Sequence, residues 1–145
     1  MVVKPDHPLA LKASKKNFKL SLQDLIAYPI VTYERAFSGR RSVDDAFSKA
    51  GLQPDIVLEA IDADVIKTYV DVGLGIGIIA GVAFEPSKDT GLVSLSAGHL
   101  FGQQTTRVAV KSGTFLRDYV YTFISMLNPD LVSEEVRKQV EGKFA

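Results

Sequence analysis

The sequence predicts an α/β fold built on a mainly parallel sheet flanked by helices, and three features carry that prediction. Short β-branched or aromatic runs alternate with amphipathic helical runs along the chain, the order expected of strand–helix–strand units. Residues 75–80 have no alternating polar position, so they read as a strand buried on both faces, as in a parallel sheet. Just before them, residues 62–73 read as a capped amphipathic helix that stops on Gly73, because glycine enters the left-handed conformation of a helix end without a Cβ clash. These glycines follow a helix and precede a strand, whereas a dinucleotide-binding fingerprint follows a strand and precedes a helix.

In chain order, residues 1–4 read as the tail of a strand and Pro5-Asp-His-Pro8 as a turn, since proline fixes φ and lacks a donor. Residues 12–19 carry Lys12, Lys15, Lys16 and Lys19 without helical or strand periodicity and read as a solvated loop in preference to a phosphate-binding patch. Ser21 caps a short helix over 22–27, ended by Tyr28-Pro29. Residues 30–33 are a strand and 35–39 a loop. Residues 42–50 are a helix with Val43, Ala46, Phe47 and Ala50 on one face and Gly51 as its stop. Pro54 precedes a strand over 56–60. Asp62 caps the next helix, with Val65, Ile66, Tyr69 and Val70 as its buried face.

Residues 86–91 are a turn, and 92–95 and 106–111 are strands. Residues 116–127 are a strongly apolar helix whose face is Leu116, Tyr119, Val120, Phe123, Ile124 and Leu127. Ser133 caps a last, more polar helix to about Val140, with Glu134 and Glu135 suited to its first turn.

A length of 145 residues with 46% apolar composition supports a compact core. Equal counts of 17 basic and 17 acidic residues leave no net charge, which argues against a surface that grips nucleic acid by itself. The longest apolar run, near residues 75–84, is too short for a membrane span. Absent cysteine excludes disulfide and thiolate chemistry. Met1 is followed by Val-Val-Lys-Pro-Asp, unlike a secretory signal, so a cytoplasmic location is expected.

No catalytic constellation is expected. His7 in the proline turn and His99 in a loop have no ligand-spaced neighbours. Asp44 and Asp45 diverge on a helix, and Asp62 and Asp64 suit a cap and first turn. Nucleophile-elbow and Walker motifs do not occur. The expectation is no enzyme, no metal and no cofactor.

One polar cluster stands out. Thr32-Tyr33 ends a strand, and Phe37-Ser38-Gly39-Arg40 leads into the helix at Ser42. Ligands of open α/β sheets settle beyond the carboxyl ends of strands, and a helix N-terminus suits an anion. Ser38 would add a hydroxyl, Gly39 a close backbone, and Arg40 with Arg41 positive potential. A plain capping loop explains the same spacing equally well. Asp62 marks the next strand-to-helix corner, where its carboxylate would repel an anion unless it only caps.

Five segments resemble LysR-type transcriptional regulators, nearest the branch of sulfur-assimilation regulators that includes CysB and Cbl. They are Val2-Val-Lys-Pro-Asp-His-Pro-Leu9, Tyr28-Pro-Ile-Val-Thr-Tyr33, Phe37-Ser-Gly-Arg40, Asp62-Ala-Asp-Val-Ile-Lys-Thr-Tyr-Val70 with Gly73-Leu-Gly-Ile-Gly77, and Thr114-Phe-Leu-Arg-Asp-Tyr119.

The resemblance implies an effector-binding domain like a type 2 periplasmic binding protein, with an effector held between two subdomains. It implies that residues 4–104 are mainly the second subdomain and 105–145 a returning segment that helps complete the first. The helix-turn-helix, the only DNA contact, and most of the first subdomain would lie outside this sequence. Ser38 matches a pocket threonine of that branch, with Thr32, Tyr33, Phe37 and Gly39 beside it and Arg40 and Asp62 as weaker candidates. Implied effectors are sulfate, thiosulfate, adenosine phosphosulfate and O- or N-acetylserine. Implied partners are further copies of the regulator, as dimer and tetramer, and no membrane. A transporter's solute-binding protein for a small anion is the alternative with the same cleft. A bilobal enzyme is a third reading, and the missing catalytic cluster disfavours it.

Overall fold

A computed structural model of the chain describes residues 1–16, 18–102, 105, 107–111, 115–128, 137 and 140. The chain parts into two compact units, Met1–Gln104 and Thr105–Ala145. In the first unit five strands form one sheet: β1 (Val2–Val3), β2 (Ile30–Tyr33), β3 (Ile56–Ala60), β4 (Ile76–Ile78) and β5 (Val93–Ser94), in the order β3-β2-β4-β1-β5. β2 pairs in parallel with β3 and β4, while β1 runs antiparallel between β4 and β5. The sheet is therefore mixed: four strands share one direction and β1 opposes them.

Alternation along the strands sorts the core onto two faces. Val3, Ile30, Ile76 and Ile78 pack with α1 (Pro8–Ala13), α2 (Leu22–Leu25), α3 (Ser38–Lys49) and α5 (Gly98–Phe101), through Leu9, Leu25, Val43, Phe47 and Phe101 among others. Val2 and Val31 face the other way, onto Ile66 and Val70 of α4 (Ala63–Asp71). Gly77 permits that second contact. A Cβ there would lie 2.7 Å from a Val2 methyl and 2.8 Å from a Val70 methyl, so only glycine lets the helix approach β4 this closely.

Gly73 ends α4 as the spacing predicts. Its φ is +88°, its N–H reaches the Val70 carbonyl, and the Leu74 N–H reaches that of Tyr69. This double closure is a Schellman motif.

Several expectations need correction. A helix occupies Pro8–Ala13, so Lys12 is helical and the loop starts later; His7 caps this helix, its Nδ1 accepting the Leu9 N–H at 3.1 Å. With Leu9 as its one buried residue, α1 has no periodicity to read. α3 starts at Ser38, four residues before Ser42, and its buried residues are Arg40, Val43 and Phe47. Ala50 is exposed. In α4 only Ile66 and Val70 are buried; Val65 and Tyr69 are exposed, because one helix against one sheet face covers a narrow stripe. His99 lies in α5, not a loop, and its Nε2 sits 2.8 Å from the Leu20 carbonyl.

In the second unit, α6 (Asp118–Leu127) buries Tyr121 and Ile124, with Val110, Leu116, Val120 and Val140 packed around them. Tyr119, Phe123 and Leu127 are exposed, so the covered face is rotated from the expected one. Residues 107–111 are not in a strand. Thr106, and nearly all of the helix expected over 133–140, lie outside the described residues.

Candidate functional site

Two strand-to-helix corners stand side by side at the carboxyl edge of the sheet. β2 leads through residues 34–37 into α3, and β3 leads through Ile61 and Asp62 into α4. The first four N–H groups of any helix lack partners within it. What satisfies them decides what each corner can do.

At the second corner Asp62 has extended backbone, and its Oδ1 accepts the Val65 N–H at 2.9 Å. A carboxylate already occupies the end of α4, so Asp62 is placed as a cap. The first corner is different. Phe37 is the cap residue of α3 and makes no side-chain capping bond. The Arg40 N–H turns back to the Phe37 carbonyl at 3.1 Å; among the described residues, no backbone carbonyl takes up the N–H groups of Ser38 or Gly39. Ser38 is exposed and Gly39 half-buried. The corner thus presents two backbone donors and a hydroxyl at the positive end of a 12-residue helix.

Thr32 and Tyr33 support this corner from β2. Thr32 is fully buried, and its hydroxyl donates to the Ile78 carbonyl at 3.3 Å, tying β2 to β4. It is a strand tie, with its hydroxyl hydrogen already directed inward. Tyr33 accepts the Ala80 N–H at its hydroxyl, 3.4 Å away. Its ring lies 5.7 Å from that of Phe37, tilted by 35°. Phe37, 41% exposed, forms an aromatic wall with it.

Arg40 belongs to the same corner but is turned into the fold. Its side chain is 1% exposed. Nε donates to Asp44 at 2.7 Å, and Nη1 donates to the Tyr33 carbonyl at 2.8 Å and meets Glu59 at 2.8 Å. Burial lowers its pKa, and the hydrogen-bonded carboxylates of Asp44 and Glu59 more than reverse that, leaving it above the ordinary value. One guanidinium therefore staples the end of β2, the outer strand β3 and the first turns of α3. Its charge is matched by two carboxylates. The structure brings Thr32, Tyr33, Phe37, Ser38 and Gly39 to one edge, assigns Arg40 to holding that edge together, and sets Asp62 at the neighbouring closed corner.

Sequence reasoning missed Glu59, Asp44 and the Ala80 backbone. The Arg40–Asp44 spacing of i,i+4 was the available signal. Two surface hollows, of about 440 and 570 Å³, are present, one beside Phe18 and Val93 and one running from Arg40 and Asp44 to Gly51 and Pro54. Neither includes Ser38. Among the described residues, no three His, Cys, Asp or Glu side chains converge on a metal-sized position, and no helix is long and apolar enough to cross a membrane.

A family profile described as LysR substrate binding domain matches residues 1–131. The chain belongs to the LysR substrate-binding domain family. Within it, the chain is 50% identical over 142 residues to the HTH-type transcriptional regulator CysB of Burkholderia cenocepacia, covering 98% of this chain and 44% of that protein. It is 49% identical over 136 residues to the regulator SsuR of the same organism, covering 94% and 42%. Among solved structures, the cofactor-binding domain of the Cbl transcriptional regulator superposes with a TM-score of 0.74 at 36% identity, over 96% of this chain and 59% of that one. This LysR domain is thus similar to transcriptional regulators of the CysB, SsuR and Cbl group, and it spans less than half the length of the curated relatives named here. Its architecture is that of a periplasmic-binding-protein-like effector domain, a mixed sheet flanked by helices.

Proposed function

We propose that this chain is the effector-sensing part of a LysR-type regulator of sulfur assimilation or cysteine biosynthesis, and that its effector sits at the open N-terminus of α3. The observation that carries the reading is the contrast at the sheet edge: α4 is capped by Asp62, while α3 has no side-chain cap and offers the Ser38 and Gly39 N–H groups beside the Ser38 hydroxyl. Such a corner favours a small anion or a carboxylate. The effector class is sulfate, thiosulfate, adenosine phosphosulfate, or O- or N-acetylserine. Similarity to CysB, SsuR and Cbl regulators supports the sulfur assignment.

In this reading residues 4–104 are the second subdomain and 105–145 a returning segment of the first. The remaining ligands come from the rest of the regulator, and DNA is read by its helix-turn-helix. The regulator acts in the cytoplasm as a dimer or tetramer. An effector that binds one arrangement of the subdomains better than another shifts their populations; no bond is made or broken.

The test is calorimetric titration of the intact regulator with sulfate, thiosulfate and O-acetylserine, before and after Ser38→Ala. Losing one hydrogen bond to a charged ligand weakens binding by about 1.5 kcal/mol, roughly tenfold. Unchanged affinity for every ligand removes Ser38 from the pocket.

A further inference from the structure

The segment Asp62–Val70 resembles one regulator branch, yet Asp62, Ile66 and Val70 explain only its capping and packing. Lys67 is left over, and it is built into the fold. Its side chain is 13% exposed and that of Asp89 is 10% exposed. The ammonium contacts Asp64 Oδ1 at 2.9 Å, one turn back. It also reaches across the chain to the Ala83 carbonyl at 3.1 Å and to both Asp89 oxygens, at 2.9 and 3.2 Å. Asp89 Oδ2 in turn accepts the Glu85 N–H at 2.8 Å. The segment bound in this way follows β4 directly, and its start supplies the Ala80 N–H that meets the Tyr33 hydroxyl.

We infer that Lys67 and Asp89 form a latch that holds residues 80–92 against α4 and so sets the Tyr33 hydroxyl at the effector corner. Lys67 is a positioning residue: it touches no ligand and acts through Ala83, Asp89, Ala80 and Tyr33. This inference rests on the effector site proposed above. Hydrogen bonds donated to the Asp64 and Asp89 carboxylates keep the Lys67 pKa raised, and the Glu85 N–H followed by Lys67 keeps that of Asp89 lowered, so both stay charged near neutral pH.

The test compares Lys67→Met, Lys67→Arg and Asp64→Asn in the intact regulator. Lys67→Met should speed amide exchange at residues 80–92 about tenfold while the amides of β2 and β3 keep their protection, as expected of a local opening. It should weaken sulfate or O-acetylserine binding about threefold to tenfold, inside the range for a residue coupled to a site without contact. Lys67→Arg should restore most of both effects. Asp64→Asn should leave both unchanged, since Asp64 is 89% exposed and contacts Lys67 only within the helix. Uniform loss of protection throughout the domain would reduce Lys67 to general stability and overturn the latch. So would faster exchange at 80–92 with unaltered affinity, in a protein whose wild type binds. Failure of the wild type to bind any of these ligands would instead count against the effector reading.

Discussion

The two corners at the carboxyl edge of the sheet are built from the same parts and differ in what occupies the helix end. After β3, Asp62 fills the end of α4 with its own carboxylate. After β2, Phe37 fills the end of α3 with nothing polar, and a buried arginine braces the corner from behind. A protein that needed only a stable helix start would use the Asp62 solution, worth about 1 kcal/mol. Leaving α3 uncapped forgoes that stabilisation and keeps the backbone donors available. Under the proposed reading Ser38 serves binding and Asp62 serves structure, though both are polar residues at a strand-to-helix turn.

Three substitutions test this contrast. Arg40→Met removes the brace of the open corner. It leaves the Tyr33 carbonyl and two carboxylates without their shared donor, and stability should fall by about 2–3 kcal/mol, read as a lower midpoint in urea unfolding. A loss below about 0.5 kcal/mol, the scale of an ordinary surface change, would show that the corner stands without it. Phe37→Asp makes the first corner resemble the second. The new cap should raise stability by about 0.5–1 kcal/mol while its charge weakens sulfate binding severalfold; calorimetry showing tighter binding would break the contrast. Asp62→Ala should lower stability by about 1 kcal/mol and leave sulfate affinity unchanged. A weaker affinity would make Asp62 part of the site.

Much of this was legible in the sequence. The strands at 30–33 and 56–60 fall where β-branched residues place them, and Asp62 and Gly73 bound α4 as cap and stop. The open corner was visible too, as a serine and glycine between a strand and a helix. The start of α3 was not, because its first buried position is held by an arginine. Hydropathy counts Arg40 as surface, while its partners Asp44 and Glu59, one on the next turn and one on another strand, make it core. Nothing local marks Glu59 as a partner. Lys67 was hidden for the same reason, since Asp89 lies on a distant turn. The covered face of α6 was misjudged because an apolar helix with residues on most sides gives no unique stripe.

The place of β1 has a consequence for how the molecule forms. Val2 pairs with both Gly77 and Ser94, so β1 fills a slot between β4 and β5, two strands far from it in sequence. The slot cannot close until the segment through Ser94 is in position, and closing it requires contacts of long sequence separation, which slow folding. Until then the facing edges of β4 and β5 have unpaired N–H and C=O groups, open to a strand from another molecule. The domain is at its most vulnerable to mispairing in the interval before Val2 and Val3 are seated between those two edges.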